Sequence, residues 1–566
     1  MAKSDLIIDI LGTTITITAD EDPEYLNKLL GKYKKTIDNV KKISGLKDPL
    51  KLAVLTGYLL CDDLEKAGSL QLKTEDSSEA EELTLGMISR LEDALKITET
   101  ANEEAEAIPQ KTDEETETEP QEINEEAEAE SQEINEEAEA KPQEINKEAP
   151  AEENFKIYKL QNSIKNYAWG SAEWIPSLLE EKNLSRIPWA ELWMGVNPAG
   201  PSRIMPDDAG ENPLLLSELI EKDKEFYLGK EMASNFGNLP FLFKVLAAAK
   251  PLSIQAHPNL IQAREGFERE NRMGIPVDAP NRNYRNPNHK PEIICALLPF
   301  LALSGFRKGK ETAFILEILS QGSEGALLSG FENLLFALNS ENENPYKAFL
   351  LSLFGLNKDV LKTLGLFIKD KSPSLQNDFP EYKNEWKLCS LLAGLYPGDP
   401  GILAPIYLNI VELSPGEAMF IPAGVLHSYI YGLGMELMAD SDNVLRGGLT
   451  SKNMDQDELM EILNFSENIP EILTKGDPSS AWFTYKPLAR EFKLSVMKGQ
   501  GSPVTFPEEG PSIVFISNGS TEIKEEDKEE STVLKKGQSA FIPYGKKGRL
   551  VFSGSFTAYS ASAGFP

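Results

Sequence analysis

The 566-residue chain carries 90 acidic against 57 basic side chains, a net charge of −33, which argues against nucleic acid as a partner because phosphate backbones select cationic surfaces. Its length exceeds what one hydrophobic core serves, so two to four domains are expected, with 41% apolar residues to fill them and no run of membrane-spanning length. Three distant cysteines, Cys61, Cys295 and Cys389, show no CxxC spacing, the pattern of a reduced cytoplasmic protein with buried thiols.

The first nine residues place Asp9 at the end of an apolar run without a small-residue cleavage site, so they do not read as a secretory signal. Residues 5–18 alternate polar and apolar around Gly12-Thr13, which predicts a strand or short hairpin. Asp22-Pro23 opens a helix carrying Leu26, Leu29, Leu30, Tyr33, Ile37 and Val40; Gly45 stops it, and Asp48-Pro49 opens a second with Leu52, Leu55, Leu59 and Leu60. A third amphipathic piece, 83–95, predicts a short coiled coil. The runs Ile8-Asp9-Ile10-Leu11-Gly12-Thr13, Ala19-Asp20-Glu21-Asp22-Pro23-Glu24-Tyr25-Leu26 and Gly45-Leu46-Lys47-Asp48-Pro49-Leu50-Lys51 resemble cell-division proteins of the ZapA type. That resemblance implies, for residues 1–100, an α+β head that forms a homodimer, a coil, and a tubulin-like division polymer as partner. A plain dimerisation module, or two adjoining genes read as one, is the competing expectation.

Residues 101–153 repeat an 11-residue unit around Pro120-Gln121-Glu122-Ile123-Asn124, Ser131-Gln132-Glu133-Ile134-Asn135 and Pro142-Gln143-Glu144-Ile145-Asn146. Only one large apolar residue recurs per unit and the prolines break helices, so a disordered, self-repelling acidic linker is expected. Residues 103–153 hold 21 acidic and 3 basic side chains, more than half of the whole charge excess.

From residue 154 the composition becomes globular. Leu239–Ala249 is a buried apolar run leading into Leu252-Ser253-Ile254-Gln255-Ala256-His257-Pro258, residues 310–395 show long helical patterns such as 350–366, and short alternating strands follow Pro405. All three histidines of the chain fall in three motifs: the Gln255/His257 run, Asn288-His289-Lys290-Pro291-Glu292, and Gly416 to His427. Gln255, His257, Glu292 and His427 offer one amide oxygen, two imidazoles and a carboxylate, a donor set suited to one divalent ion, Zn²⁺ by preference, with Co²⁺ or Mn²⁺ able to share it. In a strand, residues two apart share a face, so Gln255 and His257 point inward, Ile254 and Ala256 outward, and Lys290 accompanies Glu292. His289, of opposite parity, is expected to support the ligands from outside or to be structural. Gly416, Pro422 and His427 have the spacing of the cupin metal signature, and Gly537, Pro543 and Gly548 repeat it with glycine where the histidine would be.

Past His427, the stretch 434–452 holds Glu436, Asp440, Asp442, Arg446 and Lys452, groups able to move protons and to hold an anionic substrate beside a Lewis acid. Here residues 155–566 resemble the type I mannose-6-phosphate isomerases, through Tyr167-Ala168-Trp169-Gly170, Gln255-Ala256-His257-Pro258, His289-Lys290-Pro291-Glu292, Gly424-Val425-Leu426-His427-Ser428-Tyr429 and Ser441-Asp442-Asn443-Val444-Leu445-Arg446. The resemblance implies one zinc per chain on Gln255, His257, Glu292 and His427, and interconversion of mannose 6-phosphate and fructose 6-phosphate. It also implies an active-site role for Arg446; Leu449-Thr450-Ser451-Lys452 departs from the family, which commonly has proline before the lysine. Lys290, Glu436 and Asp442 all remain candidates for the base; Lys452, Arg446, Ser253, Tyr429 and Trp169 are the expected substrate contacts. The expected fold is multidomain: the α+β head (1–100), the linker (101–153), then a mainly-β bicupin. Its catalytic barrel comes from 154–305 and 399–475 around an α-helical insert (306–398), and 476–566 forms a cupin-like barrel without ligands. A non-enzymatic sugar-phosphate-sensing cupin tethered to the division machinery is the alternative.

Overall fold

The computed structural model describes residues 4–10, 13–19, 30–31, 33–37 and, with a few short gaps, 156–564. The chain divides into two compact units, Met1–Gln143 and Glu144–Pro566. In the first, Ser4–Ile10 and Thr13–Ala19 form an antiparallel hairpin pairing Ser4 with Ala19 and Ile10 with Thr13, the hairpin that the alternation predicts. Residues 33–37 are helical, inside the first predicted helix. The second helix, the 83–95 segment, Cys61 and the acidic linker lie outside the described residues.

The second unit is built on two antiparallel sheets. The first runs Ile472–Leu473, Ala418–Ile421, Glu292–Ala296, His427–Ala439, Phe241–Ala248, Glu191–Met194, Ser163–Lys165. The long strand His427–Ala439 is its spine: His427 pairs with Gln255 at one end and Met438 with Glu292 at the other. Phe241–Ala248 is buried at every position, Lys244 included.

Between the strands Phe300–Phe306 and Leu408–Leu413 the chain leaves the sheet for the helices Gly309–Ser320, Gly325–Asn339, Pro345–Phe354, Lys358–Asp378 and Lys383–Leu395. The apolar pattern over 350–366 is two helices rather than one, because the chain turns at Gly355 and Asn357 caps the next helix by accepting from Val360 N–H at 2.9 Å. Ile254 and Ala256 are fully buried in the same apolar core as these helices, with Tyr284, Leu303 and Ile402. The outward face that strand parity predicts for them therefore meets the helical layer and not water.

The second sheet runs Trp482–Thr484, Lys493–Gln500, Leu550–Ser562, Ser512–Glu525, Ser539–Ile542, Tyr158–Gln161, Arg203–Ile204. Its glycine–proline frame repeats that of the first: Gly416 and Gly537 take φ of +87° and +80°, each just before a short strand that is followed by proline. The two frames diverge at the end. His427 is the first residue of its strand, whereas Gly548 stands two residues short of Leu550–Ser562 with φ of +74°, a conformation strained for histidine. Among the described residues no helix is long and apolar enough to cross a membrane.

Candidate metal centre

Three strands deliver the predicted ligands. Gln255 lies on Ile254–Ala256 with His257 just beyond it, and Glu292 and His427 each open a strand. One donor atom from each of His257, Glu292 and His427 lies within 4.8 Å of the others, and all three residues are buried. His257 Nε2 is 3.3 Å from Glu292 Oε1, and His427 Nε2 is 3.4 Å from Glu292 Oε2. The Gln255 side-chain amide nitrogen lies 3.4 Å from His427 Nε2, which puts the fourth predicted residue beside the group.

Hydrogen bonding sets the tautomers. His257 Nδ1 is 2.7 Å from the Asn443 carbonyl and His427 Nδ1 is 2.9 Å from that of Val425. A carbonyl only accepts, so Nδ1 carries a hydrogen in both rings, and Nε2, the nitrogen left as an acceptor in that tautomer, faces Glu292. Burial, and after it the Lys290 charge, pushes the His257 imidazole down to about 4, so the ring is neutral at pH 7 and has no hydrogen to give Glu292. Its Nε2 is a buried atom without a hydrogen-bond partner. Burial alone would raise the Glu292 carboxyl, but the Lys290 ammonium, 2.7 Å from Oε1, together with the contacts of His257 and His427, outweighs it and holds the group well below the usual carboxylate range. Lone pairs and a carboxylate converging in a dry site repel one another, and a divalent cation is the partner they are complementary to.

The residue that aims His257 belongs to a motif noted in the sequence, yet nothing in the sequence marks its role. Fully buried Asn443 accepts at Oδ1 from the N–H groups of Arg285 (2.7 Å) and Asn286 (3.3 Å) and donates from Nδ2 to the carbonyls of Asn286 (2.7 Å) and Asn288 (2.9 Å). Its own carbonyl is thereby held against His257. Outer groups of this kind change metal affinity by about 10–100-fold. Asn443→Ala is expected to weaken divalent-metal binding within that range, read by competition with a chromophoric chelator, and unchanged affinity would remove the positioning role.

Beside the ligands sits a buried charge cluster that sequence reasoning missed. Lys244 Nζ lies 2.8 Å from Glu436 Oε2 and 3.7 Å from Glu191 Oε1, and Trp193 Nε1 donates to Glu191 Oε2 at 2.7 Å. Burial opposes the Lys244 charge, but Glu191 and Glu436 outweigh it and keep the group above the usual lysine range. Register puts these residues together: Lys244 pairs with Glu436 on one side and with Trp193 on the other. Glu436, a candidate base, is therefore engaged, and its carboxyl is raised first by burial and also by Glu292.

Tyr429 is buried and donates its hydroxyl to Glu292 Oε2 at 3.4 Å. Trp169 stacks on Tyr167 with ring centroids 5.6 Å apart, and Ser253 is half-buried two residues before Gln255. Half-buried Arg446 pairs across the strand with Gln255, Asp442 is half-buried, and Lys452 is exposed on the loop beyond. His289 bonds Glu491 at 2.8 Å, outside the ligand group.

Residues 157–309 match the family model described as phosphomannose isomerase type I, catalytic domain, and residues 6–149 that of cell division protein ZapA, a match that runs on through the acidic repeats. Mannose-6-phosphate isomerase of Escherichia coli K12 is 38% identical over 385 residues, 68% of this chain and 94% of the relative. The Homo sapiens mannose-6-phosphate isomerase is 33% identical over 369 residues, 61% and 83% of the two chains. A zinc-bound mannose 6-phosphate isomerase structure, 35% identical, matches with a TM-score of 0.64 over 72% of this chain and 99% of its own. The Salmonella typhimurium enzyme bound to its substrate, fructose 6-phosphate, and to zinc matches with the same figures. Relatives this similar across nearly their whole lengths leave one conclusion: the chain belongs to the type I mannose-6-phosphate isomerase family.

Proposed function

We propose that this protein is a zinc-dependent aldose–ketose isomerase interconverting mannose 6-phosphate and fructose 6-phosphate through a cis-enediol. The observation that carries the reading is the convergence of His257 Nε2, His427 Nε2 and the Glu292 carboxylate in a buried site, where His257 Nε2 has no hydrogen-bond partner. Gln255, His257, Glu292 and His427 would hold one ion per chain. Zinc bound there supplies Lewis acidity, polarising the carbonyl oxygen of the open-chain sugar. A base takes the proton from C2 of the aldose to give the enediol and returns it to C1 on the same face, while the O2 hydroxyl proton passes to O1, giving the ketose. Of the three candidates, Lys290 is paired with Glu292 and Glu436 with Lys244. Asp442 has no ion pair among the described residues, which favours it for the proton transfer. Arg446, across from Gln255, is suited to steady the enediolate, and with Lys452 to hold the phosphate. The complete ligand set favours an enzyme over a sugar-phosphate sensor.

The test is a coupled assay on mannose 6-phosphate. EDTA is expected to abolish turnover and stoichiometric Zn²⁺ to restore it; activity indifferent to chelation would sink the metal-dependent reading. For the head, the match of residues 6–149 supports self-association and binding to a division polymer. Cleavage in the linker that leaves turnover intact and abolishes dimers, with the released head co-sedimenting with that polymer, is the expected result.

A further inference from the structure

We propose that Arg285 is a third phosphate-binding cation, closing with Arg446 and Lys452 a cradle for the phosphoryl group of the substrate; this rests on the isomerase reading above. Arg285 belongs to the loop ahead of the His289–Glu292 motif, and its main-chain N–H is fastened to Asn443 Oδ1 at 2.7 Å. Asn443 lies three residues before Arg446, and Arg446 pairs across the strand with Gln255 of the metal group. One carboxamide therefore ties together the segments from which both guanidinium groups project, beside the metal centre. Lys452 follows on a loop that Asp399 fastens, accepting from Leu449 N–H at 2.8 Å and Thr450 N–H at 3.3 Å. Leu449 is held there at φ of +53°.

Among the described residues, these three cations carry no carboxylate. Nearby arginines are saturated: Arg282 pairs with Glu270 at 2.9 Å and donates to the carbonyls of Tyr284 and Ile275, and Arg269 pairs with Glu458. Arg285, Arg446 and Lys452 have no ion pair among the described residues, in a chain with a 33-charge acidic excess. They also repel one another. After burial, the Arg285 charge lowers the Arg446 guanidinium below its usual range, and Arg446 and Arg285 do the same to Lys452. Adjacent cations without an acid are complementary to a dianion, which two guanidinium forks and an ammonium hold with charge-assisted hydrogen bonds. Arg285 and Lys452 are solvent-exposed, so the phosphate would sit at the mouth and the sugar carbons toward the metal.

The experiment compares wild type, Arg285→Ala and Arg285→Lys, all zinc-loaded, in steady-state turnover of mannose 6-phosphate and in inhibition by inorganic phosphate. Arg285→Ala is expected to raise KM about tenfold and the phosphate inhibition constant by a similar factor, with a smaller fall in kcat, and Arg285→Lys to recover most of the loss. Zinc content and melting temperature check that each variant is folded. A phosphate inhibition constant within twofold of wild type in Arg285→Ala overturns the proposal. If wild type does not turn over mannose 6-phosphate, the isomerase reading fails instead, and calorimetric titration with inorganic phosphate still decides the cradle. Binding lost in Arg285→Ala upholds it; equal binding in both proteins, or none in wild type, overturns it.

Discussion

Lys244→Met is expected to lose about 3–5 kcal/mol of unfolding free energy, because removing one partner of a buried ion pair strands the other charge away from water. Here two carboxylates would be stranded, since Lys244 contacts both Glu436 and Glu191. The loss has a predictable pH dependence. Glu436 is already raised, by burial first, with Lys244 the main group lowering it, so the variant raises its folded-state value further. A carboxyl that holds its proton more tightly folded than unfolded stabilises below its unfolded value, and that stability is lost as pH rises through the folded one. Urea midpoints should therefore show a smaller deficit at pH 5.5 than at pH 8, and Glu436→Gln added to Lys244→Met should restore part of it. A deficit below about 1 kcal/mol, the same at both pH values, would mean the cluster is not a tight ion pair.

The second large effect is expected from Glu292→Gln, which changes size little and removes the carboxylate of the candidate ligand set. Zinc should fall from one per chain to near zero by elemental analysis. Turnover should drop at least about a thousandfold, the equivalent of about 4 kcal/mol of Lewis-acid stabilisation. The substitution also leaves the Lys290 ammonium buried without its carboxylate, so folding is checked by circular dichroism before the assay is read. A folded variant that keeps stoichiometric zinc and a tenth of wild-type turnover would show that Glu292 is not a ligand.

The metal group is legible in the sequence because histidine is scarce: three residues in 566, each in a motif with strand parity or cupin spacing around it. The helical region is legible from its apolar period, although the Gly355 turn and Asn357 cap divide one stretch into two. Lys244 is not legible. It stands inside an apolar run, and its partner Glu436 is 192 residues away, so only strand register joins them. Glu436 looks like a free base in the sequence for the same reason. Arg285 and the role of Asn443 are hidden because loop-to-loop hydrogen bonds leave no period in a sequence. Gly548 stands by spacing where a ligand would be; its left-handed φ ahead of the strand shows that the turn itself has changed.

The pairing of Tyr158–Gln161 with Ser539–Ile542 has a consequence for how the protein is made. The earliest strand of this unit waits for a neighbour that leaves the ribosome almost four hundred residues later. Closure of that sheet is thus expected only once residues 539–542 have emerged, and nascent chains arrested before residue 539 should stay protease-sensitive in this region.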